Sequence, residues 1–231
     1  MPEGQVRGCS FIFFMDMYFL ELLNGSNSLF LDRFAVAFTT GYTWIPFYVS
    51  LAVLVIKNNK TMGQIMLIFG CILLGVLASG LLSDYIVKPY VMRPRPCYDP
   101  ELRHLVHTVE GYCASGYSFY SSHAANTMML AMFVTLLVRG KVLSPLLFGW
   151  SLVNAWTRVY LGVHWFTDVL VGLAWGATVG VLVYLLYRKL TPSAKFISSR
   201  YTGTGYDKND LDICICAMML TVIYCFFRVM I

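Results

Sequence analysis

Six long stretches of the chain carry no Asp, Glu, Lys or Arg: residues 34–56, 61–83, 111–138, 142–157, 169–187 and 213–227. A helix needs about 20 apolar residues to cross the hydrocarbon layer of a bilayer. The two shorter stretches reach that length when Arg158 and Arg228 at their edges extend their charged tips to water. In lipid every backbone polar group must be satisfied internally, so the pattern predicts a bundle of about six spanning helices. The runs are continuous and do not alternate, which argues against a β-barrel. An N-terminal piece, SFIFFMDMYFLELLNG, is apolar enough to insert, but Asp16 and Glu21 interrupt it and Asn24-Gly25 ends it early. It reads as an interfacial helix in preference to a seventh span. It lacks the basic start and small-residue cleavage site of a secretory signal.

Composition agrees with the pattern. Of 231 residues, 58% are hydrophobic and 13% charged, against about 25% charged in a soluble domain, and mean hydropathy is +0.66. No polar linker or fixed-period repeat divides the chain, so residues 1–231 read as one all-α membrane domain. The net charge of +5 is spread over loops, which suits lipid headgroups or anionic substrates better than nucleic acid.

The predicted spans sort the loops into two sets. One holds Lys57, Lys60, Arg139, Lys141, Arg188, Lys189, Lys195, Arg200 and Lys208; the other holds Arg7, Arg33, Lys88, Arg93, Arg95, Arg103, Arg158 and Arg228. With the motif cations below set aside, the positive-inside rule puts the first set in the cytoplasm and the second at the periplasm or cell exterior. Cys97 and Cys113 share the long outward loop, where a disulfide and two free thiols are equally open readings. The remaining cysteines, mostly in or beside apolar spans, read as small hydrophobes. His104 and His107 read as solvated loop residues in preference to a metal pair. Gly172, Gly176 and Gly180, every four residues, suggest close helix packing.

Charge at membrane depth is costly and normally faces a cavity. Three polar clusters fall at span ends on the same expected side: Lys88 with Arg93 and Arg95, then Ser121-Ser122-His123, then Arg158, His164 and Asp168. His164 and Asp168, four apart, share a helical face if the fifth span starts near His164. An aspartate on one ring nitrogen fixes the tautomer and leaves the other nitrogen free to attack. Arg158, one turn away, offers a planar fork of donors suited to phosphate. Ser121 or Ser122 is a candidate N-cap for the helix beginning at His123. Its free N–H groups would hold an anion, and His123 would supply a proton to a leaving oxygen.

Together, Lys88 with Arg95-Pro96 after six intervening residues, Ser121-x-His123, and Arg158, five residues, His164, three residues, Asp168 resemble the signature of the type 2 phosphatidic acid phosphatase (PAP2) family of lipid phosphatases. That resemblance implies His164 as the phosphohistidine nucleophile, Asp168 orienting it, and His123 as acid and then base. Lys88, Arg95, Arg158, Ser121 and the backbone of Ser122 would bind phosphoryl oxygens. No metal or cofactor is implied. The family's Pro-Ser-Gly-His reads Tyr120-Ser121-Ser122-His123 here, and the third motif's leading Ser is Thr157. Arg93 is an extra cation, expected to meet a second phosphate or a lipid headgroup.

The expected function is hydrolysis of a lipid phosphate or pyrophosphate entering sideways from the bilayer, at the outer face of a bacterial inner membrane. Undecaprenyl diphosphate is the first candidate substrate; lipid A phosphate, phosphatidylglycerophosphate and phosphatidate remain open, as does transfer to an acceptor lipid. The rival from another class is a non-catalytic lipid transporter or scaffold on the same fold. A haloperoxidase, which shares the pocket, is disfavoured for a chain this apolar.

Overall fold

The computed structural model describes residues 3–26, 28–191 and 202–230, with side chains from residue 11 onward. Lys195 and Arg200 of the basic set, and the side chains of Arg7 and Cys9, lie outside the described residues. No β-strand occurs among those described.

The N-terminal helix α1 runs Glu3–Leu23, longer than the interfacial piece expected. Its exposed face is aromatic and aliphatic, with Phe11, Phe13, Phe14, Tyr18 and Leu22 outward. Its inner face stacks Phe19 on Phe166 at 3.9 Å between ring centroids.

The first charge-free stretch does not form one straight helix. Ser28 caps α2 (Leu29–Thr39) by accepting from the Leu31 N–H. The chain then turns through a short 3-10 segment, Gly41–Trp44, into α3 (Ile45–Asn58). The two arms meet at 68°. Pro46 sits in the first turn of α3, where its missing N–H costs nothing. The bend is packed from inside: Trp44 donates its indole N–H to the Phe38 carbonyl at 2.7 Å, and Phe47 and Trp150 close around it edge to face. That aromatic group sits in the largest core cluster.

Helix α4 (Met62–Val76), capped by Thr61, widens into two successive π turns at Leu77–Leu81 and Ser83–Val87 before the single turn α5 (Lys88–Val91). A π turn shifts the backbone pairing and often marks a functional segment. Here Ser79 accepts at its carbonyl from the Tyr120 hydroxyl at 3.0 Å, and the Ser83 hydroxyl donates to the Tyr120 carbonyl at 2.8 Å. These bonds hold the Tyr120-Ser121-Ser122 loop although it lacks the family's proline and glycine.

The third stretch becomes helical where its serines predict: α6 is Ser122–Val138, with Ser121 as N-cap. Helix α7 (Leu143–Tyr160) leads through a tight turn to α8 (Phe166–Leu190). Gly162 in that turn has φ +66°, and a Cβ there would meet Val106 and lie 3.1 Å from the His107 carbonyl oxygen, so the turn demands glycine. Helix α9 (Lys208–Met230) closes against α2 and α3.

Helices α6 and α8 form the spine. A Cβ on Gly172 would stand 2.6 Å from the Ser121 carbonyl oxygen and one on Gly180 2.8 Å from that of Met129, while one on Gly176 would overlap the Ala125 carbonyl. The glycines therefore set the backbone-to-backbone approach read from their spacing.

By length and composition, three segments among the described residues can cross a membrane: Met62–Tyr98, Phe166–Leu190 and Lys208–Met230. The bent pair α2–α3 makes a fourth when taken as one span, and α6 is a shorter apolar helix. Helix α7 spends Ser151, Asn154, Thr157 and Arg158 on its buried face, which lowers its apolar content. At one end of the bundle, Lys57 pairs with Asp210 at 2.5 Å and Thr204 donates to the Val138 carbonyl. The motif residues between Lys88 and Asp168 gather away from it.

Candidate active site

The α7–α8 turn carries His164, only 2% exposed, and the first turn of α8 carries Asp168, fully buried. Asp168 accepts the Trp165 backbone N–H at 3.1 Å and so caps its own helix. Its Oδ2 also lies 3.7 Å from His164 Nδ1, too long for a hydrogen bond but close enough to orient the ring.

The opposite ring nitrogen faces a cation. Arg95 Nη1 is 3.2 Å from His164 Nε2 and donates to the Val163 carbonyl at 2.8 Å, while its Nε and Nη2 donate to the carbonyls of Gly116 and Ser115, each at 3.0 Å. A guanidinium has no acceptor, so Nε2 must be the acceptor and the ring proton sits on Nδ1, toward Asp168. The Nε2 lone pair thus points at the group best able to hold a phosphoryl oxygen.

Burial is the largest influence on His164, followed by the positive charges of Arg158, Arg95 and Lys88; all hold its pKa well below the ordinary histidine range. The imidazole is neutral, as a nucleophile requires.

Arg158 is 3% exposed and donates from Nη1 to Thr39 Oγ1 at 2.9 Å, leaving its buried Nε without a hydrogen-bond partner. It lines a cavity of about 550 Å³ together with His123, Tyr112, Thr39 and Thr40. His123, exposed to this cavity, makes no hydrogen bond with its ring among the described residues, so its nitrogens are available. Lys88 pairs with Asp84 at 2.5 Å and donates to Ser122 Oγ at 3.0 Å, and that hydroxyl donates to Asp84 at 2.6 Å. The side chains of Ser121 and Ser122 are thus engaged: Ser121 Oγ caps α6, Ser122 Oγ steadies Lys88. The Ser121 N–H donates to the Asp168 carbonyl at 3.1 Å, so the Ser122 backbone N–H is the one that stands at the helix start, where an anion is favoured.

Arg93 departs from expectation. It is not held for a second phosphate or a headgroup. Nη1 donates to Asp168 Oδ1 at 2.6 Å and to Thr167 Oγ1 at 2.9 Å, Nη2 pairs with Asp16, and the guanidinium lies 5.3 Å from the centre of the Trp165 ring. Asp16 on α1 is fully buried and also accepts the Thr167 backbone N–H and hydroxyl, each at 2.8 Å. Sequence reasoning used Asp16 only to argue against a span. An acid inside an apolar helix was itself the available signal, but its partner lies 77 residues away.

The loop over residues 92–121 is tied down around these groups. Cys97 and Cys113 form a disulfide with Cα atoms 6.2 Å apart. Trp165 donates its indole N–H to the Pro94 carbonyl, and the Ser118 backbone N–H bonds the Arg93 carbonyl. His107, expected to be merely solvated, has Nε2 3.4 Å from Asp32.

Fold and site define a helical membrane protein in which a buried, neutral imidazole sits among cations, one of which, Arg158, lines a cavity with His123. The profile of the PAP2 superfamily matches residues 66–192. The chain is 31% identical over 210 residues to a lipid A 4'-phosphatase of Bacteroides thetaiotaomicron, covering 90% of this chain and 92% of that one. It is 32% identical over 165 residues to a lipid A 4'-phosphatase of Porphyromonas gingivalis, covering 71% and 70%. The crystal structure of Aquifex aeolicus LpxE shares the fold with a TM-score of 0.53 at 22% identity, over 72% of this chain and 93% of that one. The chain belongs to the PAP2 superfamily, and it is a membrane lipid phosphatase.

Proposed function

We propose that the protein removes a phosphate from lipid A or a closely related phosphorylated saccharolipid, at the periplasmic face of a bacterial inner membrane. Undecaprenyl diphosphate, the first expectation from sequence, finds no support among the relatives; the two named above are both lipid A 4'-phosphatases and match most of the chain.

Lys88, Arg95 and Arg158 receive the phosphoryl oxygens, and His164 Nε2 attacks phosphorus. The P–O bond to the sugar breaks, its electron pair leaves on the sugar oxygen, and His123, which enters the step protonated beside the phosphate dianion, supplies the proton that oxygen needs. His123 then takes a proton from water, whose oxygen attacks the phosphohistidine and releases inorganic phosphate and neutral His164. Asp168 keeps the ring proton on Nδ1 and stabilises the charge that develops there. The observation that carries this reading is the contact between Arg95 Nη1 and His164 Nε2 at 3.2 Å, which aims the nucleophilic lone pair at a phosphate donor set.

The test is phosphate release from lipid A, undecaprenyl diphosphate, phosphatidylglycerophosphate and phosphatidate in detergent with EDTA. Activity is expected first on lipid A. It survives chelation, is inhibited by vanadate, and falls about a thousandfold or more in His164→Ala. No release from any of the four favours the transporter or scaffold reading.

A further inference from the structure

The family match covers residues 66–192, so α2, α3 and α9 lie outside it. These elements meet beside the active-site cavity and build something the shared core lacks. A second cavity of about 230 Å³ shares Val36, Val109 and Glu110 with the first and adds Arg33 of α2 and Arg228 of α9. Arg33 Nη1 donates to the Val229 carbonyl at 3.2 Å; Arg228 Nη2 donates to the Tyr42 hydroxyl at 3.2 Å, with its guanidinium 5.8 Å from the centre of that ring. Each guanidinium is aimed by one bond and keeps donors to spare, and among the described residues neither is ion-paired. Beside Tyr42, a largely apolar groove of about 510 Å³ lies between Pro46 on α3 and Leu220 and Tyr224 on α9.

The spacing selects the ligand. Thr39 touches Arg158, and Arg33 lies six residues earlier on the same helix, about 9 Å along its axis at 1.5 Å per residue. Two anionic groups held apart by sugar rings match that offset better than the two phosphorus atoms of a diphosphate, which share one oxygen. Glu110 lines both cavities and accepts hydrogen bonds from the sugar hydroxyls or amide N–H that lie between two phosphates.

We infer that Arg33 and Arg228 form a second anion subsite, which holds the far phosphate of a two-phosphate saccharolipid while the scissile phosphate lies at His164. This rests on the lipid A reading and assigns its specificity to elements outside the family core.

The test compares kcat/KM of the full-length protein in mixed micelles on bis-phosphorylated lipid A and on the same lipid carrying only the scissile phosphate. The wild type is expected to prefer the bis-phosphorylated form roughly tenfold, through KM, as the loss of a charge-assisted contact implies. The preference collapses in the Arg33→Gln, Arg228→Gln double variant, and each single variant, which keeps a donor for its present acceptor, removes part of it. A preference that persists in the double variant, or is absent in the wild type, overturns the subsite and leaves the lipid A reading standing. Wild-type protein that hydrolyses another lipid phosphate but neither form of lipid A overturns both.

Discussion

Arg93 Nη1 lies 2.6 Å from Asp168 Oδ1, so the carboxylate that faces His164 on one side is held by a guanidinium on the other. Arg93 is in turn held by Asp16 of the N-terminal helix. A chain of four side chains thus links α1 to the imidazole.

Asp16→Asn is expected to loosen this chain without touching substrate. Breaking a buried ion pair strands the remaining charge and is strongly destabilising, so the thermal midpoint in detergent falls. kcat falls roughly tenfold, as misplacement of the imidazole through Asp168 implies, while KM changes little. Asp16→Glu, which keeps the charge, is expected to recover part of kcat. Equal losses in kcat for Asn and Glu, with KM raised in step, would contradict a positioning role.

The pKa of His164 is lowered by burial first and by Arg158, Arg95 and Lys88 next. Because the folded value lies below the unfolded one, about 6.5, the stabilisation from neutral His164 is present above that pH. It is lost as pH falls through the folded value. Imidazole ¹⁵N signals of labelled protein should therefore show His164 neutral, with its proton on Nδ1, at pH 6.5. Arg95→Gln removes one positive neighbour and moves the titration upward. A wild-type midpoint at or above pH 6.5 would contradict the assigned electrostatics.

Gly176→Ala places a Cβ on the Ala125 carbonyl, where backbone offers nothing to yield. Forced overpacking of this kind costs about 1–3 kcal/mol, to be read as a lower thermal midpoint. Gly149→Ala, on α7 with no atom within 4 Å of the added carbon, is the matched control and is expected to hold or raise it.

The Cys97–Cys113 bridge closes a loop of sequence separation 16, for which chain entropy predicts about 3 kcal/mol of stabilisation. Alkylation of denatured protein before reduction should leave these two cysteines unmodified, and reduction should make them reactive and lower the thermal midpoint. Full labelling without reductant would exclude the bridge.

The sequence made the helical membrane class legible because lipid leaves charge-free runs few alternatives, and α8 falls within three residues of its run at either end. The glycine ladder was legible because its spacing matches one helix face. The clustering of Lys88, Arg95, Arg158, His164 and Asp168 was legible from motif order and span ends. Other features depend on tertiary partners that no local pattern contains. The bend at Gly41–Trp44 is packed by Trp150, more than a hundred residues on. The use of Arg93 is set by Asp16, and the Tyr120 loop by carbonyl and hydroxyl groups of the π turns. The start of α6, by contrast, was legible, because Ser121 is a cap expected ahead of His123.

The glycine ladder has a mechanical consequence. Ser121 rides on α6 and Asp168 on α8, and the Ser121 N–H bonds the Asp168 carbonyl at 3.1 Å, so interlocked backbones weld both walls of the reaction chamber into one stiff die.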